Sequence, residues 1–407
     1  MAILGVATLA VVALTTPWRA LPAGAPPIEP DPARDFTAAQ IARSEAFDAA
    51  IGVPAYLSLG LTLVVAGVLV GTPLGAKLLA RLRGPWWLRV LFGVLAISAA
   101  VAILRWPLGM WSETYLREFG LSTQTWASWT ADRLKNIGIG TGLTAIMVLA
   151  VVALARRYRR WWIPAALGAF TLTVVASFAY PVVIEPLFND FTPMPASTLR
   201  ADLLAMASKD GVPVENVLVA DASRRTTALN AYVSGFGATR RIVVYDTLLR
   251  APADQVELVV AHELGHAKAG DVLYGTLVGG LAAAFGACLL YLVGSAGPVR
   301  RRTGVPSIAD PRAVGLLMGL LSLATVLSGP GQNLVSRHIE ARADAHALDL
   351  TREPAVFVSM QKRLAITNIS DLSPNIVEYL LYASHPTAPQ RIAMARSWAL
   401  LNGVGQP

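Results

Sequence analysis

The stretch VVAHELGHAKAGD, Val259 to Asp271, sets two histidines four residues apart around a glutamate, in a chain of 407 residues with five histidines in all. It reads as a helix. Pro252 opens the run PADQVELVVAHELGHAKAG, acids fall in its first turns, and Gly270 closes it. Residues four apart on an α-helix share a face, so His262 and His266 offer two imidazoles to one metal ion. Glu263 flanks them, close enough to reach a water at the metal without being a ligand. This is the H-E-x-x-H pattern of zinc hydrolases, and with histidine this scarce a chance coincidence on an ordinary amphipathic helix is the weaker reading.

A catalytic zinc takes three protein ligands and keeps a fourth position open, so one further His, Asp or Glu is required. The single cysteine, Cys288, lies in an apolar stretch; it is read as a packing residue, and no thiolate site can be built from it. The polar run SRHIEARADAHALDL, 336–350, supplies four candidates: His338, Glu340, Asp344 and His346. Spacing does not choose among them.

The motif sits in apolar surroundings. The chain is 54% hydrophobic and 15% charged, with a mean hydropathy of +0.52, which excludes an ordinary soluble enzyme of this length. Seven stretches, 1–18, 51–76, 90–104, 136–155, 161–184, 272–299 and 313–336, carry no Asp, Glu, Lys or Arg. Most can cross a hydrocarbon core that needs about 20 helical residues. The short third one can use Arg89 and Arg105 at its two interfaces, beside Trp86, Trp87 and Trp106. The expectation is a mostly α, multi-pass helical protein of the cell membrane with about seven spans. The small residues of LPAGA, 21–25, follow a first stretch that lacks a basic leader, so a retained helix is expected rather than a signal peptide.

The net charge of +8 does not point to nucleic acid. Its basic residues gather where spans end: Lys77, Arg81 and Arg83; Arg156, Arg157, Arg159 and Arg160; Arg300, Arg301 and Arg302. Positive-inside counting places those loops in the cytoplasm and the metal site on the extracytoplasmic side. The organisation that follows is a membrane region at 1–184 with five spans, a polar segment at 185–271 with the metal helix, two further spans at 272–336, and a polar segment at 337–407. In the first polar segment TLRADLLAMASKDG reads as a helix ending at Gly211, and NVLVAD as a strand. LNAYVSGFG and RIVVYD read as a hairpin, with ATR and the glycines at 235 and 237 as its turn. A composition rich in Ala and Arg and poor in Lys fits a GC-rich bacterium.

Five segments together, PLFNDFTPM at 186–194, LNAYVSGFGATRRIVVYDTLL at 229–249, AHELGHAKAGD at 261–271, SRHIEARADAHA at 336–347 and SHPTAPQRI at 384–392, resemble the type I CAAX prenyl endopeptidases. These are integral-membrane zinc metalloproteases with relatives among bacterial heat-shock membrane proteases, and the likeness runs over most of the chain. It implies a gluzincin-like zinc domain with a small β-hairpin or sheet, one Zn2+ per chain, and a barrel of seven helices around a water-filled chamber. It assigns the third ligand to Glu340 and makes Asp344 the carboxylate that orients a ligating imidazole. His385 and Arg391 would serve the oxyanion. Asn230, Ala231 and Tyr232 would border the cleft, where an extended substrate can add to a strand edge. His338 and His346 match no ligand position and read as ordinary helix residues. Many relatives have a second proline after HP, where this chain has Thr387, so the local loop shape departs from the pattern.

The function implied is zinc-dependent hydrolysis of peptide bonds, with Glu263 as the base that takes a proton from the attacking water. The partners implied are the bilayer and a polypeptide, membrane-associated or misfolded, with or without a lipid. Strict prenyl-protein processing is one alternative. A non-catalytic transporter or chaperone with a structural zinc is another, although Glu263 is present and the cysteines of closed sites are missing.

Overall fold

The computed structural model describes residues 1–235 and 240–407. Part of the expected hairpin turn, Gly237, Ala238 and Thr239, lies outside the described residues.

Among the described residues, six helices are long and apolar enough to cross a membrane: Ala38–Gly71, Trp86–Glu118, Trp126–Arg157, Trp162–Leu187, Asp271–Ser295 and Pro311–Thr351. Most overrun the charge-free stretches because a helix continues into polar sequence wherever a cap allows. Thr37 and Gln40, for example, form a capping box that starts the first of them well before its apolar part. The fourth is α-helical to Ala179 and then widens into a π-turn, Tyr180–Ile184, where Pro181 cannot donate. The seventh expected span is the helix Ala2–Thr15, whose 14 residues rise about 21 Å. That is less than the ~30 Å of a hydrocarbon core.

The six long helices pack neighbour against neighbour into a closed ring, the last returning to the first, and Ala2–Thr15 lies against Asp271–Ser295. All six meet at the end that carries the basic clusters, in a core of Ala76, Val90, Val94, Val148, Val152, Trp161 and Val314 with Leu290 packed on it. Along the last helix the buried residues fall at Val314–Gly319 and resume only at Arg337. Between these two stretches the helix has no buried residue. The chain between Ala2–Thr15 and the ring is built into the polar domain: Ser397 donates to the Pro26 carbonyl, buried Asp35 pairs with Arg396 and Lys362, and Phe36 enters the core.

The polar domain caps the other end. Strands β1 (Phe191–Pro193), β2 (Asn216–Ala220), β3 (Ala231–Ser234) and β4 (Arg241–Tyr245) form one sheet in the order β1-β2-β4-β3. The β2/β4 pair is parallel and the outer pairs antiparallel, with Ala231 opposite Val244, so β3 is an edge strand. Helices Thr198–Lys209, Ala253–Ala269, Pro354–Thr367 and Ala388–Leu401 pack with the sheet around Leu203, Ile242, Leu258, Leu264, Leu348, Phe357, Ile392 and Trp398.

Two connections position the site. The histidine helix, Ala253–Ala269, ends at Gly270 with φ 72°, a left-handed cap that turns the chain directly into the membrane helix Asp271–Ser295. The glutamate helix, Val314–Thr351, runs without a break from the basic end into the domain. Glu340 lies roughly 39 Å along it from Val314 at 1.5 Å per residue, more than a hydrocarbon thickness.

Candidate metal centre

The histidine and glutamate helices cross at the motif. His262 Nε2 and His266 Nε2 stand 3.1 Å apart. Glu340 closes the third corner, with Oε2 at 3.2 Å from His262 Nε2 and Oε1 at 3.6 Å from His266 Nε2. Behind the rings, His262 Nδ1 meets Asp344 Oδ1 at 2.8 Å and His266 Nδ1 meets Asp271 Oδ2 at 2.8 Å. Carboxylates on both Nδ1 atoms turn both Nε2 lone pairs to one point.

That arrangement fits a metal. Three electron-pair donors converge, and buried Glu340 Oε2 has no hydrogen bond among the described residues despite its neighbours. Two nitrogens bound at about 2.0–2.1 Å to a tetrahedral zinc lie about 3.3 Å apart, close to the separation found. A proton is the substitute when no metal is there. Burial opposes charge on His262, yet pairing with the Asp344 and Glu340 carboxylates outweighs burial and lifts its pKa to about 10.

Glu263 Oε1 lies 4.0 Å from His262 Nε2 and has no hydrogen-bond partner among the described residues. Burial holds its carboxyl above the usual range, while the charges of His262 and His266 pull the other way. His385 stands on the open side, with Nε2 3.4 Å from Glu340 Oε2 and Nδ1 2.9 Å from Ser384 Oγ. Thr387, at the position where relatives have proline, forms a capping box with Gln390 and so starts the helix that carries Arg391. Arg391 reaches the centre through Asp344: its Nε donates to Oδ2 at 2.7 Å and its Nη2 to Oδ1.

One cleft of about 750 Å³ joins His262, Glu263, Glu340, His385 and Arg391 to Asn230 and to the head of helix Ala38–Gly71. Of the three residues expected to border it on the strand side, Asn230 alone lines it. Ala231 is buried in the domain core, and the Tyr232 hydroxyl donates to Glu185 Oε2 at 3.3 Å. His338 lies away from the metal, edge-on to Trp18, and His346 bonds Asp210.

Sequence reasoning gave no role to four residues that the structure brings in. Asp271 sits just past the Gly270 cap, which swings its carboxylate back to His266, and Arg342 holds its other oxygen. Gln361 faces Arg391, and its amide, turned so that the oxygen accepts, meets both Nε and Nη2 at 3.1 Å. Asn368 brackets the start of β3, accepting from Leu229 N at 2.8 Å and donating to Leu229 O at 3.2 Å. Only Asp271 had a signal in the sequence, its fixed offset behind a helix-ending glycine.

The model of peptidase family M48 matches residues 193–399, and that of the CAAX prenyl protease N-terminal region, with five membrane helices, matches 51–190. The chain belongs to peptidase family M48. It is similar to the uncharacterized metalloprotease YhfN of Bacillus subtilis, 29% identical over 387 residues, 92% of this chain and 90% of that protein. A CAAX prenyl protease 1 homolog of Arabidopsis thaliana is 30% identical over 311 residues, 73% of this chain and 72% of that one. In fold it is similar to the crystal structure of S. mikatae Ste24p, with a TM-score of 0.72 at 20% identity over 97% of both chains. This M48 protein is thus a zinc metallopeptidase of the membrane whose His262–Glu263–His266 group is in place, and the non-catalytic alternative is set aside.

Replacing Asp271 by Asn should weaken zinc binding about 10–100-fold, because the His266 ring loses its charged anchor. Competition with a chelator checks this, and an unchanged affinity would contradict it. Zinc binding to the metal-free protein at pH 7 should also release protons, since the metal displaces the one His262 holds, and affinity should fall as pH falls. Conversely, the protonated ring stabilises the metal-free protein fully below the ordinary histidine pKa of about 6.5, and that contribution is lost as pH rises through about 10. Calorimetry in buffers of different ionisation enthalpy measures the protons released; none released would refute the assignment.

Proposed function

We propose that this chain is a membrane-embedded zinc endopeptidase that cuts membrane-associated polypeptides, with His262, His266 and Glu340 as ligands and Glu263 as general base. The observation that carries the reading is the convergence of His262, His266 and Glu340 beside Glu263, within a cleft that reaches the head of helix Ala38–Gly71.

Zinc, when bound, acts as a Lewis acid on the peptide carbonyl and makes a water acidic near neutrality. The rest belongs to side chains. Glu263, raised above the usual carboxylate range by burial, takes the proton of the attacking water and passes it to the leaving amine. His385, on the open side of Glu340, is placed to donate to the carbonyl oxygen as it gains charge. Arg391 acts through Asp344, fixing the carboxylate that fixes His262. Asn230, exposed on the cleft wall with its side chain uncommitted among the described residues, anchors the substrate main chain near the open edge of β3.

The substrate class follows from the cleft walls. Ile51, Ala55, Met360 and Leu364 offer apolar surface, but Asp48, Asp371 and Glu378 interrupt it. A site reserved for a lipid chain would not place three carboxylates there, so the broad endopeptidase is favoured over strict prenyl-protein processing. The ring opening supports substrates at the membrane, lipidated or not.

Glu263→Gln should keep zinc and lose about 10²–10⁴-fold in kcat, measured on matched prenylated and unprenylated peptides in detergent. Zinc retained with undiminished cleavage would sink the reading, and cleavage confined to prenylated peptides would favour the strict one. The basic clusters share the end of the ring away from the metal, which under the positive-inside tendency puts the active site outside the cytoplasm. In a Cys288→Ala background, Glu353→Cys should react with a membrane-impermeant maleimide in intact cells, and Arg302→Cys should not. The reverse labelling would place the site in the cytoplasm.

A further inference from the structure

Glycine destabilises a helix relative to alanine, yet Gly265 sits buried between the two motif histidines. The reason lies on the other helix. A Cβ on Gly265 would meet the His346 side chain at 3.0 Å from Cδ2, 3.1 Å from Cβ and 3.2 Å from Cγ. The imidazole occupies the notch that the missing side chain leaves. His346 Nε2 donates at 2.9 Å to Asp210 Oδ2, and the other oxygen of that nearly buried carboxylate accepts from Lys268 Nζ at 2.6 Å. Asp210 caps helix Thr198–Lys209, and Lys268 lies two residues past His266. Three elements are thus tied together beside the metal ligands.

We infer that His346, seated against Gly265 and held by Asp210, is a positioning residue that sets how closely the histidine and glutamate helices approach, and hence the geometry of the zinc site. The inference rests on the zinc reading above. The contacts between the two helices run in order: Glu340 meets both histidines, Asp344 meets His262, and His346 fills the notch one residue before His266. A methyl group at 265 would push against a ring that cannot retreat, because Asp210 holds its far edge. The displacement would fall on Glu340, which must reach two nitrogens at once. An empty notch would let the helices settle too close or rock. Either change loosens the metal without touching a ligand.

The test uses the full-length protein in detergent and reads zinc retention against a chelator, with helical content by circular dichroism as the fold control. Gly265→Ala and His346→Ala should each release zinc at least about tenfold faster than wild type, within the range for groups behind metal ligands. The double substitution, which puts a methyl where the ring was, should recover much of that loss. His346→Gln, which keeps a donor for Asp210 but not the ring shape, should fall between wild type and His346→Ala. Zinc held by Gly265→Ala as tightly as by wild type would overturn the inference, as would a folded double variant no better than Gly265→Ala alone. Wild type that takes up no zinc would instead overturn the function proposed above, so the two failures are distinguishable.

Discussion

Everything near the site follows from a repulsion. His262 Nε2 and His266 Nε2 stand 3.1 Å apart, and the two oxygens of Glu340 lie 3.2 and 3.6 Å from them, with no hydrogen that satisfies all three residues. Left alone, such donors would rotate apart. They stay because each has a partner behind it: Asp344 and Asp271 fix the two rings, and Arg391 and Arg342 in turn fix those carboxylates. The domain core serves the same end, since Leu258, Leu264 and Leu348 pack on the helices that carry the donors.

The crossing also joins the catalytic domain to the membrane without a linker. Both helices continue into spans, one through the left-handed turn at Gly270 and the other uninterrupted through Pro330. A shift of either span relative to the ring therefore reaches His262, His266 and Glu340. The polar domain adds a second tie through the N-terminal segment, where Asp35 bridges Arg396 and Lys362. Site and ring are thus one mechanical unit.

Much of this was legible in the sequence because it rests on periodicity and local caps. The histidine helix, its glycine stop, the small sheet and the apolar spans all declare themselves within windows of a few residues. The first span came out short because the chain bends at Thr16 into a segment that packs on the polar domain, a tertiary effect. The third ligand was one of four candidates until family resemblance chose among them, since spacing on one helix does not say which face meets another. Gln361 and Asn368 stayed invisible for the same reason: each matters only because distant residues, Arg391 and Leu229, arrive beside it. Thr387 is the opposite case. It looked like a departure from the pattern, and it is a helix cap.

Charge gives the last step. Four carboxylates crowd the centre, those of Glu263, Glu340, Asp344 and Asp271, and two guanidiniums, Arg391 and Arg342, are paired with them. That leaves two negative charges uncompensated in a largely buried site, where unpaired charge is costly. Protonating His262 removes part of the deficit, which is why its pKa rises when no metal is bound. A divalent cation offsets all of it, with Glu263 ionised. The same deficit explains why the outlying pair, Asp210 with Lys268, adds nothing to it: that carboxylate is already balanced. The charge count of the centre therefore suits a doubly charged ion, before ligand type or geometry is considered.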